Sequence, residues 1–131
     1  MSNVIHLIST TNANVVANSN IPLTTISRRT KCSHLSLVDN TVVLGLPGYY
    51  KVSGTVTFTS TAGVAEITAK KSGVEVPGIN SSLTAATNTV YTLPIDGVIR
   101  VYCGEQPTTL VLENTGVDIT VQNVSLTVEY F

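Results

Sequence analysis

The chain has 131 residues, enough for one sizeable core but not two, and only 11% of them are charged, for a formal net charge of -1. Without an overall field to gather polyanions, a nucleic-acid or anionic-membrane binder is disfavoured from the outset. Thr and Val together make up about 30% of the residues, the β-branched enrichment of strands and the opposite of a helical chain. Surface polarity therefore rests on hydroxyls and amides, which desolvate more cheaply than charges against a second subunit, so an oligomer is expected.

The opening Met1-Ser2-Asn3-Val4-Ile5-His6-Leu7-Ile8 carries neither a basic leader nor a long apolar run. No signal peptide or membrane span is expected, and synthesis in a cytoplasm would leave Cys32 and Cys103 as thiols at first. Residues 1–20, rich in Asn, Thr and Ser, read as an N-terminal arm or edge strand with strand-like patches at 4–8 and 15–17. The domain proper is expected over 21–131. Its first strand, 21–26, contains Pro22 and so suits an edge.

Arg28, Arg29 and Lys31 follow as the one dense charge cluster, suited to docking on an acidic partner or neighbouring-subunit surface through bidentate pairs, or else a solvated strand end. Residues 35–38 and 41–44 form a hairpin about Asp39-Asn40, two residues that tolerate positive φ. The long strand 49–60 then sets Tyr50, Val52, Gly54, Val56 and Phe58 toward the core and Lys51, Ser53, Thr55, Thr57 and Thr59 away from it. Residues 64–70 alternate again, and Lys71-Ser72-Gly73 turns into a short arm that Pro77-Gly78 interrupts. A polar connection over 80–88 leads to strands at 89–95, 98–103, 108–113, 117–121 and 124–131. Eight to ten short strands with no helical-period window specify an all-β sandwich or barrel.

Chemistry finds little footing. Cys32-Ser33-His34, with Cys103 brought near, offers three zinc ligands but no second closing cluster, so no metal or cofactor is expected. The two cysteines are either separate thiols or a Cys32–Cys103 disulfide. Cys32 or Cys103 with His34 and Asp39 is the one formal nucleophilic set, and with nothing resembling an oxyanion hole the chain is not expected to be an enzyme. Asp96 and Asp118 read as solvated residues beside turns. Tyr49, Tyr50, Tyr91 and Tyr102 suit a sugar-binding surface or, more simply, sheet and interface packing.

Gly48-Tyr49-Tyr50-Lys51-Val52, the strand to Phe58, Lys71-Ser72-Gly73-Val74-Glu75-Val76-Pro77-Gly78, and the segments 98–104, 110–113 and 124–130 follow an order that resembles the jelly roll of the tumour-necrosis-factor and complement globular-head superfamily, including its spore-surface and bacteriophage members. More narrowly, Ile21-Pro22-Leu23, Arg28-Arg29, Cys32, Gly48-Tyr49-Tyr50-Lys51-Val52, Arg100-Val101-Tyr102-Cys103-Gly104 and Val128-Glu129 are similar to small proteins encoded among structural genes of bacteriophages of gut bacteria. On that likeness the cluster of Arg28, Arg29 and Lys31 would dock on an acidic capsid surface. The resemblance implies a jelly-roll β-sandwich and a homotrimer, with a virion role such as capsid decoration or head fibre and phage capsid proteins as partners. With no collagen-like or coiled-coil repeat in residues 1–20, a short surface-bound unit rather than a long fibre is expected. Tyr49, Tyr102, Leu126, Val128, Tyr130 and Phe131 are the expected trimer contacts. The competing expectation is an adhesion module that takes host carbohydrate on the loops 80–88 and 114–116.

Overall fold

Each alternating strand has one apolar side to bury, and two sheets packed on those sides make the molecule. The computed structural model describes residues 3–30, 34–105 and 107–130. Twelve strands are present among them: β1 (Asn3–Ser9), β2 (Ala13–Val15), β3 (Ser19–Asn20), β4 (Thr25–Arg29), β5 (Leu35–Val38), β6 (Thr41–Leu44), β7 (Gly48–Ser60), β8 (Gly63–Lys71), β9 (Val74–Ala85), β10 (Val90–Val101), β11 (Thr108–Asn114) and β12 (Ile119–Tyr130). One antiparallel sheet runs β10-β7-β12-β1-β4, with β2 beside β12; the other runs β5-β6-β11-β8-β9, with β3 beside β11. The result is a jelly-roll β-sandwich, as the alternation and the resemblance led us to expect.

The inward faces are those the alternation picked out. Tyr50, Val52, Val56 and Phe58 from β7 meet Ala65, Ile67 and Ala69 from β8, with Leu110, Leu112, Val124, Leu126 and Val128 filling the space between. Burying side chains such as Phe58 or Leu110 stabilises the fold by roughly 1.5–3 kcal/mol each. The hairpin turns also follow local chemistry: Asp39 and Asn40 both take positive φ, and Ser72 and Gly73 do the same between Lys71 and Val74.

Four expectations need correction. Twelve strands rather than eight to ten are present among the described residues, the two- and three-residue β3 and β2 included, and several are longer than expected because β-bulges carry the ladders through places that look like breaks. A register shift between Thr68 and Lys70 lets β9 continue past Pro77-Gly78 to Ala85, and another between Val121 and Asn123 joins 117–121 and 124–131 into one β12. Likewise β10 runs straight through Asp96-Gly97, with Pro94 accommodated because β10 is an edge. Last, no boundary falls at residue 20. β1 lies inside the sheet between β12 and β4 with Ile5 and Leu7 fully buried, and β2 and β3 pair with opposite sheets, so residues 3–20 belong to the sandwich.

Candidate interaction surface

The outward side of the β10-β7-β12-β1-β4 sheet is a broad platform whose composition follows from strand parity. With Val124, Leu126 and Val128 turned inward, Ser125, Thr127 and Glu129 of β12 must turn outward, beside Ser53, Thr55 and Thr57 of β7 and Val4, His6 and Ile8 of β1. The centre of this face is thus hydroxyl and aliphatic. Three pairs of its side chains bond one another among the described residues: His6 Nε2 and Ser125 Oγ lie 2.8 Å apart, the Thr57 and Thr92 hydroxyls 3.0 Å apart, and near one end the Thr120 hydroxyl donates to Asn14 Oδ1 at 2.9 Å.

The outward side of the second sheet is different, because its polar groups satisfy each other. Lys70 Nζ lies 2.6 Å from Glu113 Oε2, the Thr115 hydroxyl donates to Glu66 Oε1 at 2.6 Å, and Asn80 Nδ2 donates to the Thr68 hydroxyl at 2.8 Å. A partner covering that side would have to displace bonds already made, whereas on the first side the Ser53, Thr55 and Thr127 hydroxyls make no side-chain hydrogen bond among the described residues.

At one end of the β10 edge, Arg100 sits between two exposed tyrosines, its guanidinium 5.3 Å from the Tyr49 ring centroid and 4.4 Å from that of Tyr102. Lys71 Nζ donates to Arg100 O at 2.8 Å and lies 3.4 Å from Glu105 Oε1. The Tyr102 N–H at 2.6 Å, and then Lys71, hold the Glu105 carboxyl below its usual range. Beside this knot is a cleft of about 350 Å³ lined by Lys71, Val74, Pro77, Val98, Arg100 and Tyr102. A second cleft, of about 380 Å³, is lined by Asn14, Thr61, Thr87, Asn88 and Asp118 among others.

The expected contact residues divide accordingly. Tyr49 and Tyr102 are exposed, at 47% and 53%, and share the Arg100 knot. Leu126 and Val128, at 1% and 0%, are spent on the molecule's own core and cannot reach a partner. Tyr130 also turns inward: its ring packs on Tyr50 and His34, at centroid distances of 5.0 and 4.7 Å, and its hydroxyl donates to Pro47 O at 2.8 Å. Phe131, Lys31 and Cys32 lie outside the described residues, so the three-residue basic cluster and the Cys32–Cys103 bridge are not described as units; Cys103 itself is exposed in the turn after β10. Arg28 and Arg29 are both exposed on β4, but they oppose His6 and Ile5 respectively, which places them on opposite sides of the sheet.

The two segments expected to carry carbohydrate are loop only in part, residues 86–88 forming an exposed turn after β9 and 115–116 a bend after β11. Residues 80–85 belong to β9 and pair with β8, and Asn114 is fully buried while Thr115 N–H is bonded to Glu66 O at 3.0 Å. Sequence reasoning also misplaced Asp96, which stands in the middle of β10 rather than beside a turn, and gave no role to His6; parity from the correctly placed Val124 would have set the outward face, but not which strands flank it.

His34, Tyr50 and Tyr130 close this end of the sandwich. Burial pushes the Tyr50 phenol above its ordinary value, opposed by its bond to Leu46 O, and burial alone lowers His34 below 6.5. Since the unfolded chain then binds a proton at His34 before the folded one does, stability should be full above pH 6.5 and should fall as the pH descends from 6.5 toward the lower folded value. Urea midpoints across this range should show that slope in the wild type and a shallower one in His34→Phe.

No family model matches the sequence, and no curated protein does. Solved structures do resemble it. Murine APRIL at pH 8.5 superposes with a TM-score of 0.79 at 12% identity, covering 100% of both chains. Eiger TNF from S. frugiperda gives 0.73 at 9% identity, covering 100% of this chain and 92% of its own. The globular domain of zebrafish complement 1qA protein gives 0.70 at 7% identity, covering 98% and 96%. At these identities the likeness concerns the fold.

Proposed function

We propose that this protein is a homotrimeric binding module, assembled through the outward face of the β10-β7-β12-β1-β4 sheet, that decorates a phage capsid or ends a short head fibre and acts by protein–protein contact rather than chemistry. The observation that carries the assembly is the contrast between the two outward faces: polar groups of the second are bonded to each other, whereas the centre of the first presents Val4 and Ile8 beside Ser53, Thr55 and Thr127 hydroxyls that make no side-chain hydrogen bond among the described residues. The jelly-roll likeness supports a binding role, and the virion setting rests on the sequence resemblance at Gly48-Tyr49-Tyr50-Lys51-Val52 and Arg100-Val101-Tyr102-Cys103-Gly104.

Multi-angle light scattering should return three times the 13.8 kDa chain mass, and the trimer should co-sediment with purified capsids. Thr127→Glu, on the outward side of β12, should yield a monomer with unchanged far-ultraviolet dichroism. A wild-type monomer at micromolar concentration, or a Thr127→Glu protein of wild-type mass, would falsify this mode of assembly. Carbohydrate adhesion is the second reading, favoured by the amide- and hydroxyl-lined cleft at Asn14, Thr61, Asn88 and Asp118; a specific glycan-array ligand without capsid association would replace decoration with it.

A further inference from the structure

One register row crosses the whole outward face of the first sheet. Asp96 of β10 opposes Ser53 of β7, which opposes Thr127 of β12, then His6 of β1, then Arg28 of β4. A carboxylate thus stands on one edge strand and a guanidinium on the other, in the same row and on the same side. Both are exposed, and neither has an ion-pair partner among the described residues. Four strand spacings of about 4.8 Å separate them by roughly 19 Å, so the two charges cannot meet within one sandwich. They can meet only between copies.

We infer that each subunit contact of the ring is closed by an ion pair between Asp96 of one copy and Arg28 of the next. This inference rests on the trimeric reading above and adds to it the contact that sets register. A head-to-tail interface joins two different edges, and opposite charges at equivalent heights on those edges let the rows of neighbouring copies continue one another without slipping along the strands. Arg29, on the other side of β4 opposite Ile5, does not belong to the row. Of the basic cluster, Arg28 is the residue assigned this contact. The planar guanidinium can take both Asp96 oxygens, which a point charge would not orient.

The test is a charge swap. Asp96→Arg and Arg28→Asp are made singly and together, and each protein is followed by light scattering and sedimentation over a concentration series, with far-ultraviolet dichroism reporting the fold. Each single change should weaken trimerisation by about tenfold or more, the scale of one lost interfacial charge pair, and the double swap should return it to near the wild-type value. The milder Asp96→Asn and Arg28→Gln, which introduce no repulsion, should weaken it to a smaller degree and replace any reversal that fails to fold. Wild-type trimers whose single variants associate normally would overturn the pairing and leave the trimer standing, as would singles that dissociate without rescue by the swap. A wild-type monomer would overturn the trimeric reading itself. A dimer rescued by the swap would mean that two faces meet about a twofold axis, which overturns the ring.

Discussion

Gly54→Val should destabilise the protein by at least ~3 kcal/mol, moving the urea midpoint far below that of the wild type or abolishing soluble expression. Gly54 lies at the centre of β7, opposite both Leu126 of β12 and Ile95 of β10. A Cβ added there would overlap the Ser125 carbonyl oxygen and come within 2.9 Å of Leu126 Cα. These are backbone atoms of a strand paired along its whole length, and they cannot swing aside as a side-chain tip can. The sheet would have to separate at the β7–β12 ladder, which anchors the core and the outward face together. Gly78→Ala is the contrast: nothing lies within 4 Å of the added Cβ, and only a positive φ of +86° opposes it. That change should cost about 1 kcal/mol. Equal midpoints for the two variants would show that close approach at Gly54 is not what excludes a side chain.

The second large effect is expected at Asn114. Its amide nitrogen donates to Val15 O at 3.0 Å and to Val117 O at 2.9 Å, and its amide oxygen accepts from Gly116 N–H at 3.0 Å, all at a fully buried position. The bond to Val15 ties the end of β11 to the end of β2, where the chain leaves one sheet for the other, and the other two close the bend after β11. Asn114→Ala would leave two carbonyls and one N–H without these partners, a loss of about 3 kcal/mol at roughly 1 kcal/mol for each broken bond. Asn114→Asp keeps one acceptor but turns a carboxylate oxygen toward two carbonyl oxygens, so at pH 7 it should be the worse of the two. Protonating that carboxyl restores a donor. Acid should therefore recover part of the loss in Asn114→Asp and none of it in Asn114→Ala. Urea unfolding at pH 7 and pH 4.5 measures both, and hydrogen exchange should show protection falling first at residues 13–20.

Together these positions describe how the platform is held. Gly54 allows the two long strands beneath it to approach, and Asn114 secures the segment that links the sheets. Gly54 has no side chain and that of Asn114 is fully buried, so either substitution should impair assembly through the fold. Thr127→Glu and the Asp96–Arg28 swap should alter association with the fold intact.

Alternation by itself determined the all-β class, the inward faces of β7, β8 and β12, and the turns at Asp39-Asn40 and Ser72-Gly73. Each of those depends on residues within a few positions of one another, through the two-residue period of a strand or the positive φ that a tight turn demands. The same logic failed at Pro77-Gly78 and Asp96-Gly97, because local breakers are overruled when a bulge or an edge position lets the ladder continue. It failed again for Leu126 and Val128, whose apolar character suits a core and an interface equally. Only the packed sandwich decided that they are internal, that β1 lies within the sheet, and that Asn114 is a buried tie rather than part of a loop. Above all, no local pattern could align Asp96, Ser53, Thr127, His6 and Arg28. They come from five strands spread along the chain, and their common row exists only because long-range antiparallel pairing sets the register of each strand on the next.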